Sequence, residues 1–110
     1  MILVLSGTVE GKEIVKTLHV EGLSLVTTVA TEYGKKMFEQ MGMESFCLQG
    51  RLDAHGFSRL IKEKGIDTVI DATHPYAIEV SQNAMDACKT TNVRYLRFER
   101  QEIPIPAHPQ

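Results

Sequence analysis

Four short stretches carry most of the side chains whose types and spacing can do chemistry. The densest is "DATHPYA", Asp71 to Ala77, where Thr73, His74, Pro75 and Tyr76 form a polar, ring-bearing tetrad directly after an apolar run. Pro75 pushes His74 toward extended geometry, which keeps the imidazole out of a sheet interior. His74 then either meets a ligand or serves as a capping or surface imidazole, and Tyr76 either touches a ligand or packs on a helix. Asp71 sits inside the apolar run, where a charge requires a partner. A second stretch, "SGTVEG" (Ser6 to Gly11), is a glycine-bearing turn after another apolar run. Gly7 suits a tight turn with positive φ, Thr8 suits a helix cap or a phosphate contact, and Gly11 admits close approach of a helix to a sheet or a pyrophosphate. The pattern is not GxGxxG, because Ser6 and Thr8 hold the first two glycine places, and a Walker A loop is excluded because there is no Gly-Lys-Ser or Gly-Lys-Thr run.

The third stretch is "VATEYG", Val29 to Gly34. An acidic residue at this place holds a ribose diol in NAD-binding units. Here small Ala30 and Thr31 leave room for a 2′-phosphate that Lys35 and Lys36 would neutralise, or else Thr31 is a helix cap and the lysines face solvent, and Glu32 is the alternative partner for a diol. The fourth is "QGRLD", where Arg51 either makes a bidentate contact with a phosphate or carboxylate or is an exposed Arg ahead of a capped helix. There is no Ser-His-Asp arrangement, and no nucleophile stands out. Cys47 and Cys88 lie far apart in no CxxC or Cys/His spacing, so they are expected to be small buried hydrophobes and no metal site is expected.

All four stretches fall between an apolar run and an amphipathic segment. Ile2 to Leu5, Ser24 to Ala30, Ser45 to Gln49, Asp67 to Ala72 and Arg94 to Phe98 read as strands. Between them, Gly11 to Val20, Glu32 to Met41, a segment capped by Asp53 and closed at Lys64 to Ile66, and Tyr76 to Thr90 read as helices. Pro75 fits the first turn of the last one. Strands alternating with helices imply right-handed parallel crossovers. The expected fold is therefore α/β: a Rossmann-like, doubly wound, five-stranded parallel sheet ordered 3-2-1-4-5 over residues 1–100. In such a sheet ligands bind beyond the carboxyl ends of the strands, where all four stretches belong. The closing "QEIPIPAHPQ" opposes a helix and is expected to be an extended linker over residues 101–110.

The 110 residues suit one domain, 43% of them are hydrophobic, and the formal net charge of −2 offers no basic surface for nucleic acid. The opening "MILVLSG" is too short an apolar run for a signal peptide, and no segment approaches a membrane span, so a cytoplasmic location is expected.

Taken together, "SGTVEGK", "TVATEYG", "GRLD", "DATHPYA" and "YLRFERQ" resemble, in order and spacing from Met1 to about Arg100, the amino-terminal half of the precorrin-6A reductase family. The departures are Ser6 for the first glycine, Lys12 for Arg and Gln101 for Pro. The resemblance implies reduction of a ring double bond of precorrin-6A, or of its cobalt-bearing form, in cobalamin biosynthesis, with NADPH or NADH as cofactor and a carboxylate-rich tetrapyrrole as substrate. By the family pattern Gly7, Thr8 and Gly11 hold the pyrophosphate, and Thr31 and Tyr33 lie near the adenosine ribose. Arg51, Thr73, His74 and Tyr76 lie toward the nicotinamide and the substrate, with His74 and Tyr76 the candidate proton donors by location. The family is roughly twice this long, with the macrocycle between two α/β domains. The resemblance therefore implies a fragmentary enzyme that turns over poorly alone and self-associates through its exposed interface. The alternative is a non-catalytic NAD(P)-binding regulatory domain, which shares the fold.

Overall fold

The computed structural model describes residues 1–99. The expected linker of residues 101–110 lies outside them. The elements alternate as the periodicity requires: β1 (Ile2–Leu5), α1 (Val9–Val20), β2 (Leu25–Val29), α2 (Glu32–Gln40), a 3-10 turn (Glu44–Phe46), β3 (Cys47–Gln49), α3 (Ala54–Lys64), β4 (Thr68–Asp71), α4 (Ile78–Thr91) and β5 (Arg94–Arg97). The five strands form one sheet in the order β3-β2-β1-β4-β5, all neighbours parallel. This is the expected doubly wound topology.

Side-chain alternation along the strands builds two cores. Leu3, Leu5, Val26 and Val69 face one side, where Phe57, Leu60 and Ile61 of α3 and Ala84, Ala87 and Cys88 of α4 cover them. Val4, Leu25 and Val29 face the other side, under Val15 of α1 and Phe38 of α2. Phe57 is 2% exposed, and burying a side chain of that size contributes roughly 2–3 kcal/mol. Both cysteines are buried and free, and burial pushes each thiol up from its ordinary value. Gly65, in the left-handed region, ends α3, and Asn92 ends α4 in the same conformation.

Several boundaries differ from the expected ones by one or two residues, and the starts of the third strand and the last helix show why. The third strand begins at Cys47 rather than Ser45, because only Cys47 to Gln49 find partners on β2, and the residues before them coil into the 3-10 turn. The last helix begins at Ile78 rather than Tyr76. Pro75 is not in its first turn: the Ala77 N–H donates to the His74 carbonyl at 2.8 Å, closing a separate turn. The Tyr76 N–H is taken by His74 Nδ1 at 3.1 Å, and α4 starts two residues later than expected.

Candidate functional site

The loops that leave β1, β2, β3 and β4 converge on one cleft of about 420 Å³ at the carboxyl edge of the sheet. Leu5 and Phe57 lie along its floor, Ser6 and Gly7 on one side, Ala30, Gly50 and Arg51 on another, and Thr73, His74 and Tyr76 close it toward α4. Of the residues expected from sequence, Gly7, Arg51, Thr73, His74 and Tyr76 line it. Thr8, Gly11, Thr31 and Tyr33 do not, and the geometry shows what each does instead.

Thr8 is the N-cap of α1. Its hydroxyl accepts from the Gly11 N–H at 3.1 Å and donates to the Ala72 carbonyl at 2.7 Å, so its only proton is spent tying the first exit loop to the fourth. That bond starts α1 at Val9, two residues earlier than the periodicity suggests. Gly11 allows close packing: a Cβ there would stand 3.0 Å from Ser6 Cα. Thr31 caps α2 by accepting from the Gly34 N–H at 3.1 Å. Tyr33 is 73% exposed on that helix, and Lys36 faces Glu32 at 4.0 Å. Gly7 itself has φ of +155°, and a Cβ there would meet no atom of the protein within 4 Å. The space beside it is the cleft.

The α4 side of the cleft is built differently. Asp71 ends β4 fully buried and takes donors on both oxygens. Oδ1 accepts from the Thr73 N–H (3.0 Å), the Thr73 hydroxyl (2.7 Å) and Arg97 Nη1 (2.9 Å), while Oδ2 accepts from the Tyr95 hydroxyl. Arg97 faces Asp71 directly in the β4–β5 register, and Tyr95 precedes it by two on the same face. Burial alone would raise the Asp71 carboxyl, but hydrogen bonds from Ser81, Tyr95 and Thr73 outweigh it and hold the carboxyl below its ordinary value. Burial, then the hydrogen bond and charge of Asp71, push the Tyr95 phenol well up. Among the described residues no buried side-chain nitrogen or oxygen lacks a partner.

Tyr95, Arg97 and Ser81 were absent from the sequence-derived site. The signal that finds them is Asp71 itself: a carboxylate inside a strand needs a cation at the same height on the adjacent strand, and "RYLRF" supplies one. Ser6 was noted only as a departure from a glycine. It lines the cleft, and its hydroxyl lies 2.7 Å from that of Thr27, whose own proton goes to the Val4 carbonyl. Ser6 is therefore the donor of that pair. Among the described residues no group of three or more His, Cys, Asp and Glu side chains could hold a metal ion, and no helix is long and apolar enough to cross a membrane.

Strand order, parallel crossovers and a ligand-sized cleft at the carboxyl edge define the class: a doubly wound α/β domain of Rossmann type. Within that class, the chain belongs to the precorrin-6x reductase family. A family profile described as "Precorrin-6x reductase CbiJ/CobK" matches residues 1–109. The chain is 39% identical over 105 residues to "Cobalt-precorrin-6A reductase" of Methanocaldococcus jannaschii, a match covering 94% of this chain and 41% of that protein. It is 34% identical over 99 residues to "Precorrin-6A reductase" of Rhodobacter capsulatus, covering 90% of this chain and 38% of that one. A solved structure of "CobK precorrin-6A reductase" superposes with a TM-score of 0.74 at 32% identity, over 91% of this chain and 37% of that chain. The chain thus spans about two fifths of the length of these relatives. The family expected from the five motifs is the family found.

Proposed function

We propose that this chain forms the dinucleotide-binding wall of a reductase that acts on precorrin-6A or its cobalt-bearing counterpart. The observation that supports this reading is the convergence of four strand exits on one cleft whose first turn offers main chain at Gly7. The residues fit the cofactor. Gly7 leaves open space where any other residue would put a Cβ, and the N-terminus of α1 behind it provides first-turn N–H groups and a positive dipole end for a pyrophosphate. Thr8 serves that site by fixing the start of α1 rather than by touching the phosphate. Ala30 leaves room for an adenosine ribose. Arg51, exposed at the rim, suits a phosphate or a substrate carboxylate.

When bound, a reduced nicotinamide supplies a hydride for a ring double bond of the tetrapyrrole. The chain's own part is to position and to exclude water. Leu5 and Phe57 make an apolar floor, and Thr73 is held rigidly by Asp71. His74 and Tyr76 stand at the mouth as the groups able to pass a proton to the reduced product, Tyr76 being 86% exposed. NADPH and NADH should each be titrated into the 110-residue chain, with calorimetry as the readout. Saturable binding of at least one is expected, and its loss in Gly7→Val would locate it. No heat from either at millimolar concentration would reject the reading.

A further inference from the structure

An exposed imidazole in a loop ordinarily samples several orientations and both tautomers. His74 is held at three points. Its ring Nδ1 accepts from the Tyr76 N–H at 3.1 Å, its carbonyl accepts from the Ala77 N–H at 2.8 Å, and its ring lies 5.0 Å from that of Tyr76. The peptide joining it to Thr73 is held as well, because the Thr73 carbonyl accepts from Arg97 Nη2 at 2.9 Å. With Nδ1 occupied as an acceptor, the proton of the neutral ring resides on Nε2.

We propose that Arg97 is a positioning residue of the cleft: through the Thr73 carbonyl it fixes the His74 loop so that the imidazole is kept as the Nε2–H tautomer, offering a donor to the bound ligand. This rests on the reading of the cleft as a nicotinamide-dinucleotide site.

The donor accounting supports the role. Arg97 is engaged through all three of its side-chain nitrogens. Nη1 reaches Asp71 Oδ1 at 2.9 Å, the Thr73 hydroxyl at 3.0 Å and the Ser81 hydroxyl at 3.3 Å. Nη2 reaches the Thr73 carbonyl and, at 3.1 Å, Glu99, which also accepts from Nε at 3.2 Å. Arg97 itself does not line the cleft, so it acts through its partners. Thr73 is equally committed. Its hydroxyl proton goes to Asp71 and its oxygen accepts from Arg97, so it has no proton left for the Ser81 hydroxyl 3.3 Å away. Neutralising Asp71 alone would need only a cation. Reaching a carboxylate, a hydroxyl and a main-chain carbonyl together needs a planar fork, which a Lys lacks.

The test compares the wild-type 110-residue chain with Arg97→Lys and Glu99→Ala, each labelled with 15N-histidine and titrated with NADPH. In the wild type, His74 is expected to show the Nε2–H tautomer pattern, with His19 and His55 as internal references. Arg97→Lys should keep a folded amide spectrum while averaging the His74 tautomers, and should weaken NADPH binding roughly tenfold. Glu99→Ala removes only the outer partner and should shift both readouts the same way by a smaller factor. It carries the test if Arg97→Lys does not fold. A wild-type His74 protonated on Nδ1 would overturn the proposal. So would an unaltered His74 pattern in the variants, with or without weaker binding, because Arg97 would then be structural only. Averaged tautomers with unchanged affinity would overturn it too. A wild type that fails to bind NADPH while showing the ordered Nε2–H pattern would instead count against the dinucleotide reading, leaving the clamp itself to the variants.

Discussion

The exits of β1 and β4 reach the same cleft by opposite means. After β1 the chain needs only Ser6, Gly7 and Thr8 before α1 begins, and the side chains it uses there turn inward: Ser6 to Thr27, Thr8 to Gly11 and Ala72. What remains facing the cleft at Gly7 is main chain. After β4 the chain takes six residues, Ala72 to Ala77, to reach α4, whose N-cap Ala77 provides no side-chain bond. That loop is held instead by a buried carboxylate and by Tyr95 and Arg97 reaching across from β5. The difference teaches a division of labour. A turn that offers its backbone can be short, its side chains being spent on Thr27 and the Ala72 carbonyl. A turn that presents an imidazole and a phenol must be longer, and its rigidity must come from elsewhere in the fold.

The contrast breaks most visibly at Asp71. Asp71→Ala removes the acceptor of four donors and leaves Arg97 without its inner partner, at a cost of about 3 kcal/mol in chemical denaturation. The same carboxylate sets an acid limit. Its value is lowered in the folded chain, so its contribution is complete above the ordinary carboxylate value near ~4 and fades as pH falls through the lower folded value. Melting curves of Asp71→Asn should be flatter in that range than those of the wild type. Tyr95 sets the opposite limit. Its phenol is raised on folding, so its contribution holds below about pH 10 and is lost above it, and Tyr95→Phe should flatten the alkaline side.

At the β1 exit the expected damage is to binding more than to folding. Gly7→Val places a side chain in the cleft and forces a β-branched residue to a φ of +155°, costing about 1–3 kcal/mol of stability. NADPH binding by calorimetry should fall more than tenfold. The two threonine caps sharpen the comparison further down the scale. Thr8→Ala loses a cap and the bond to Ala72, so about 1–2 kcal/mol is expected, whereas Thr31→Ala loses only an exposed cap and should cost about 0.5–1 kcal/mol. Equal costs for the two would show that the Thr8–Ala72 tie contributes nothing.

The same contrast explains what could be read from the amino-acid sequence. Strand order, helix caps at Thr31 and Asp53, and the turn at Gly7 are local or follow from the parallel crossover rule, so they were legible before any coordinates. Arg51 and His74 were legible because strand exits must share an edge. Thr73 was legible as a cleft residue, but its commitment to Asp71 and Arg97 depends on a partner 24 residues away. The late start of α4, at Ile78, was missed because the Nδ1 of His74 captures an N–H of a residue that the periodicity assigns to the helix. The five quoted motifs carried the family even so, since loops that share one rim are constrained together.

The central claim is that the cleft between the β1 and β4 exits takes a reduced nicotinamide dinucleotide. Amide chemical-shift mapping of the 110-residue chain with NADPH tests it directly. Saturable shifts concentrated at Gly7, Ala30, Gly50, Arg51 and His74 are expected. Shifts confined to the opposite edge, around Leu23, Ser24 and Phe46, or no saturable change, would contradict it.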